Sequence, residues 1–137
     1  MSKIAVVYWS MGGHTETMAN AVAEAAGVEA MTVADFDTSS VDDYDVLAFG
    51  CPAMGAENLE EGEVQPMWDE VKDALAGKKV ALFGSYGWGD GEWMRTWQEE
   101  AEEAGADMVA DGLAIQEDTD EAEVTAACAG LGEKLAA

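Results

Sequence analysis

Short, continuous apolar runs rich in β-branched residues recur along this chain, all but one followed by a stretch of helical period, and that alternation leaves few folds open. KIAVVYW (3–9) is the strongest run. DVLAFG (45–50) and KVALFGS (79–85) repeat its character, and VEAMTV (28–33) and DMVADGLAI (107–115) do so more weakly. Runs that are apolar on both faces suit strands inside a parallel sheet, whereas a half-exposed antiparallel strand would alternate. Between them, apolar residues recur at helical spacing: Met18, Val22 and Ala25; Val64, Met67, Trp68, Val71 and Leu75; Trp93, Trp97, Ala101 and Ala104; Val124, Cys128, Leu131 and Leu135. Gly27, Gly77 and Gly105 stand where helices should stop, in the left-handed position that glycine takes most readily. The second crossover, DFDTSSVDDY, is acidic and has room for at most a short helix.

Strands alternating with helices predict a three-layer α/β domain, a parallel sheet covered on both faces through right-handed crossovers. With 137 residues, 49% of them apolar, and no repeat or linker, one domain over 1–137 is expected. The 29 acids against six Lys and Arg give a net charge of −23, which makes nucleic acid and anionic membrane poor partners. That excess suits a salt-rich cytoplasm and a protein docking on basic partners about equally. Cys51 and Cys128 have no Cys or His near them at metal-ligand spacing, so they read as buried reduced thiols and no metal site is expected. No apolar run reaches membrane-spanning length, and MSK leads directly into a strand, so the expected location is the cytoplasm.

In a sheet of this type ligands bind beyond the carboxyl ends of the strands, where strand order reverses. Three loops therefore matter. The first, SMGGHT (10–15), joins a strand to a helix N-terminus, where free N–H groups and the helix dipole favour an anion. Gly12 and Gly13 admit close backbone approach, and Ser10 and Thr15 offer hydroxyls, so the loop suits a phosphate or, equally, an ordinary capped turn. It lacks the Gly-Lys-Ser/Thr ending of a Walker loop and the third glycine of a dinucleotide fingerprint. The loop after the fourth strand, GSYGWGDGEW (84–93), interleaves glycines with Tyr86, Trp88 and Trp93, which suits stacking on a planar ligand. Trp93 also shares the helical spacing of Trp97 and so equally fits the core. After the third strand, Met54 and Gly55 lie in an acidic segment, and a Met opposite a Trp would form a slot for a flat ring.

Taken together, YWSMGGHTE, GCPAMGAENLEE and LFGSYGWGDGEWM, in this order and at these spacings, resemble the short-chain flavodoxins of anaerobic bacteria over essentially the whole chain. The resemblance implies a five-stranded parallel sheet of order 2-1-3-4-5 with FMN at the switch point, which is the general description of that fold. It implies that Ser10, Met11, Gly12, Gly13, His14 and Thr15 hold the phosphate, and that Met54 and Trp88 flank the isoalloxazine. Pro52, Ala53, Gly55, Ala56 and Glu57 line the ring from the third-strand loop, with the Gly55 carbonyl at N5 and Glu57 near N3. Ser85, Tyr86, Gly87, Gly89, Asp90 and Trp93 complete the contacts. An uninterrupted fifth strand places the chain in the short class. The family's first loop usually reads Ser/Thr-x-Thr-Gly-Asn-Thr; here Gly12 and His14 replace Thr and Asn, so a hydroxyl is lost. His14 either recovers that interaction or faces solvent.

The implied function is that of a low-potential electron carrier, not an enzyme, cycling FMN between semiquinone and hydroquinone. Glu57, Glu60, Glu61, Glu63, Asp90 and Glu92 lie in the two loops expected to frame the flavin, and their charge opposes addition of the second electron. A peptide flip at Gly55-Ala56 that offers a carbonyl to N5–H would favour the one-electron form. Expected partners are redox proteins with basic docking surfaces, such as ferredoxin-using oxidoreductases, met by a monomer. No acid, base or nucleophile gathers in the loops. The enzymatic alternative is a small FMN-dependent NAD(P)H:quinone reductase of related fold. A receiver-like signalling domain would want an Asp ending the third strand, where Gly50 and Cys51 stand.

Overall fold

A computed structural model describes residues 3–10, 13–54, 59–87 and 91–136. Strand β1 (Ile4–Tyr8) leads to helix α1 (His14–Ala26), then β2 (Ala30–Thr32) and, after two 3-10 turns, β3 (Val46–Gly50). Helix α2 (Val64–Val71) precedes β4 (Lys79–Tyr86), and helix α3 (Glu92–Glu103) precedes two short strands, β5 (Asp107–Met108) and β6 (Leu113–Gln116). Helix α4 (Glu121–Ala136) ends the described chain.

The strands pair in parallel in the order β2-β1-β3-β4-β5, with β6 also on β4. Neighbouring residues of each central strand point to opposite faces, and both faces are buried. Ala5, Val7, Leu47, Phe49, Val80 and Leu82 meet Val64, Met67, Trp68, Trp93 and Trp97 from α2 and α3. Val6, Tyr8, Val46, Ala48, Ala81 and Phe83 meet Met18, Val22, Cys128, Leu131 and Leu135 from α1 and α4. This two-sided burial is why the strands read as unbroken apolar runs. The acidic crossover forms only 3-10 turns, Val33–Asp35 and Thr38–Asp43, each started by a side-chain cap, Thr32 and Asp37 respectively. Gly27, Gly77 and Gly105 have φ of 80°, 80° and 92°, the left-handed conformation their positions demanded.

The fifth sheet position differs from the single strand over 107–115 expected from sequence. Val80 pairs with Met108 and Phe83 with Leu113, so three steps along β4 face five along the edge, an excess of two residues. The edge therefore breaks at Val109–Gly112 and resumes in register as β6. Packing explains the break: the Gln98 side chain of α3 accepts the Gly112 N–H at 2.8 Å and donates to Asp111 at 3.2 Å. A Cβ on Gly112 would lie 2.5 Å from Met94 Cγ, so only glycine lets α3 come this close. The bulge leaves the sheet order unchanged while delivering β6 to the end of β4 where the loops gather.

Candidate functional site

The carboxyl ends of β1, β3 and β4 lie side by side, so the sheet itself brings the three loops together. Trp9 donates its N–H to Gly50 O at 3.0 Å, and Ala53 donates to Ser85 O at 2.9 Å, continuing the ladder past the strands. The second of these bonds joins the third-strand and fourth-strand loops directly. Gly84 enables that approach: a Cβ there would sit 2.0 Å from the Cys51 carbonyl oxygen, which also accepts the Trp93 indole N–H at 3.2 Å.

Gly13 is the N-cap of helix α1, in the left-handed conformation with φ 92°, and nothing lies within 4 Å of where its Cβ would be. Glycine offers no capping side chain; Ser10 reaches forward instead, and its Oγ accepts the Glu16 N–H at 3.2 Å. Because that bond uses an oxygen lone pair, the Ser10 O–H remains a donor. Thr15 and Ser85, 1% and 2% exposed, share a hydrogen bond of 2.9 Å between their hydroxyls. It ties the first turn of α1 to the end of β4. A hydroxyl pair uses one of its two protons internally, so one O–H is left to donate to a further acceptor.

His14 is the first residue of α1, and its Nδ1 lies 3.9 Å from a Glu117 carboxylate oxygen. Tyr8 donates its O–H to Glu16 at 3.1 Å; burial, then this contact with a carboxylate, raise the Tyr8 pKa. A cavity of about 500 Å3 opens between the N-terminal ends of α1 and α4, bordered by Gly13, His14, Ser85, Ile115 and Glu117. A second, of about 320 Å3, lies on the other side of the first loop against Trp9, Ser10 and Thr32, and Gly13 borders both.

Of the residues expected at the site, Ser10, Gly13, His14, Thr15, Pro52, Ala53, Met54, Ser85, Tyr86 and Gly87 gather at this end of the sheet. Met11, Gly12, Gly55, Ala56, Glu57, Trp88, Gly89 and Asp90 lie outside the described residues. Trp93 is 2% exposed and packs in the core, its ring 5.6 Å from that of Tyr86, because the helical spacing it shares with Trp97 turns it inward. It supports the fourth-strand loop from beneath. Glu60 also differs from a free member of an acidic rim. Its carboxylate accepts the N–H groups of Gly62, Glu63 and Val64 at 2.8, 2.6 and 3.0 Å, capping α2. Burial opposes its ionisation, but these three donors outweigh it and lower the pKa. Cys51 and Cys128 are free and buried, and burial pushes their thiols up to about 12 and about 11.

Sequence reasoning missed the carboxyl end of β6 and the turn after it, which supply Ile115, Gln116 and Glu117 to the larger cavity. The signal was available, since this turn also leaves the carboxyl end of a strand.

The family model for flavodoxin matches residues 6–130 of this chain. The chain is a flavodoxin. It is 44% identical to the flavodoxin of Megasphaera elsdenii over 97% of this chain and 98% of that one. Identity to the Clostridium beijerinckii flavodoxin is 43%, covering 96% and 97%. The solution structure of the two-electron reduced M. elsdenii protein superposes with a TM-score of 0.85 at 41% identity, over 97% of this chain and 98% of that one. An archaeal flavodoxin gives the same score at 26% identity, over 98% and 96%. Flavodoxins carry electrons on bound FMN and are not enzymes, so the quinone-reductase alternative is not favoured. The role implies redox partners, and among the described residues no helix is long and apolar enough to cross a membrane.

The residues present fit FMN. A phosphate dianion would find the N-terminus of a 13-residue helix, an open glycine, the Ser10 O–H and the spare proton of the Thr15–Ser85 pair. The flavin supplies the redox chemistry when bound; the protein supplies donors, shape and charge.

Proposed function

We propose that this flavodoxin anchors the FMN phosphate on Ser10–Thr15 and seats the ring between the Met54 and Trp88 loops, acting as a single domain, 1–137, in the cytoplasm. The observation that carries the reading is the buried Thr15–Ser85 pair, which ties the expected phosphate loop to the expected ring loop and leaves a hydroxyl proton to give. Pro52, Ala53, Met54, Tyr86 and Gly87 fit the ring side, because the Ala53–Ser85 bond holds their loops in contact.

The carrier works at low potential, one electron at a time. Glu61, Glu63 and Glu92 place negative charge on the elements that flank the site, and each carboxylate opposes the gain of negative charge within it. Partners are redox proteins with basic docking faces, of the ferredoxin-using oxidoreductase kind, met by a monomer in brief, salt-sensitive encounters. Electron transfer to such an oxidoreductase should slow steeply as salt is raised from about 20 to about 300 mM, which shortens the Debye length from roughly 20 Å to roughly 6 Å. A flat profile would assign the acidity to salt adaptation instead. Phosphate anchoring is tested separately by comparing FMN with riboflavin: equal affinities would reject it.

A further inference from the structure

Glu117 follows β6 directly and belongs to none of the three expected site loops. Its N–H is held by the Tyr86 carbonyl at 2.8 Å, the last rung on the outer edge of β4, so the sheet fixes where its side chain starts. From there the carboxylate faces two loops at once. One oxygen lies 3.9 Å from His14 Nδ1, and the other lies 3.4 Å from where a Cβ on Gly87 would be. The cavity it borders also meets the carboxylate-bearing residues Glu16 and Glu121, and among the described residues of its lining His14 alone is able to carry positive charge. Glu16 is engaged by the Tyr8 O–H, and Glu121 sits in the first turn of α4, so Glu117 is the carboxylate paired with the imidazole.

We propose that Glu117 is a positioning residue that acts through His14 as a competitor of the FMN phosphate. The proposal rests on the reading that the phosphate sits at the N-terminus of α1. An imidazole on the first residue of that helix is placed to meet an anion there, but Glu117 draws it toward the end of β6. An imidazole held there is kept from the phosphate, which weakens phosphate binding. The two side chains are 51% and 39% exposed, so water screens their pairing. A carrier so arranged holds its cofactor less tightly than its hydrogen-bond donors alone would allow.

The test is calorimetric titration of the full chain, freed of flavin, with FMN and with riboflavin, for wild type, Glu117→Gln, His14→Asn and the double variant. Glu117→Gln should tighten FMN up to about fivefold, the range of an exposed ion pair. Riboflavin affinity should not move, and the gain should vanish in the His14→Asn background. Equal tightening of FMN and riboflavin would place the effect at the ring and overturn the proposal. Tightening that survives in the double variant would reduce Glu117 to bulk charge and overturn it as well. Wild-type protein binding riboflavin as firmly as FMN would remove the phosphate reading itself, a failure distinct from the other two.

Discussion

Replacing Glu60 by alanine removes three hydrogen bonds at once, and their geometry sets the cost. The carboxylate accepts from Gly62, Glu63 and Val64 at 2.6 to 3.0 Å, so it acts as the N-terminal cap that Glu63, the formal cap residue, does not provide. Gly62 and Glu63 are exposed and their N–H groups return to water, whereas Val64 is buried. Loss of an N-terminal cap costs about 1 to 2 kcal/mol, and the charge on this one places it near 2. For a chain of this size that is a fall in Tm of about 6 °C. The pH dependence carries the sign. Glu60 has its folded pKa lowered from 4.5, so its contribution is present above the unfolded value and fades as pH drops through the folded one. Urea denaturation at fixed, saturating FMN should therefore show a gap between wild type and Glu60→Ala at pH 7 that narrows below about pH 4. Glu60→Gln keeps an acceptor without the charge and should lose about half as much. An equal gap at both pH values would mean that the side chain acts by packing, and the capping argument would fail.

Thr15→Val leaves the Ser85 hydroxyl buried without its partner and should cost about 1 to 3 kcal/mol, read as a lower urea midpoint; adding Ser85→Ala should recover part of it, since removing both partners strands neither. Two glycines of α4 should respond oppositely to alanine. Gly130 has nothing within 4 Å of a new Cβ, so Gly130→Ala should stabilise by about 0.5 to 1 kcal/mol, whereas at Gly132 the Cβ would meet the Val22 carbonyl oxygen at 2.3 Å and the same change should destabilise by about 1 to 3 kcal/mol. Thermal melts of the two variants check the pair. In the turn expected over Met54–Glu57, a peptide flip would put positive φ on Ala56 at a cost of roughly 1 kcal/mol, so Ala56→Gly should raise the potential of the first reduction, measured by equilibrium titration; an unchanged potential refutes the flip.

Much of the site was legible because its loops announce themselves by composition. SMGGHT and GSYGWGDGEW depart sharply from the apolar runs before them, and a polar, glycine-rich segment at the end of a buried strand has little to do with packing. Side-chain direction was less legible. Trp93 shared its spacing with a helix core and its loop with a ligand wall, and its packing against Tyr86 and bond to Cys51 came only with the tertiary structure. Ser10 read as a ligand donor, and its second task, capping α1 in place of Gly13, depends on the chain curling back by six residues. Glu117 carried only the signal of its place after a strand, and nothing pointed to its partners, since His14 and Tyr86 are distant in sequence.

The sequence by itself determined the architecture. Apolar runs buried on both faces and helices ended by left-handed glycines admit a parallel sheet with two helical layers, and each of these signals is local, set by periodicity or by one residue's φ. Tertiary structure decided what depends on distance between remote residues. It paired Thr15 with Ser85, gave Glu60 to a helix end and broke the fifth strand where Gln98 captures Gly112. These contacts join residues on different elements, and no periodicity encodes them, because a hydrogen bond forms only once packing has brought its donor and acceptor within about 3 Å.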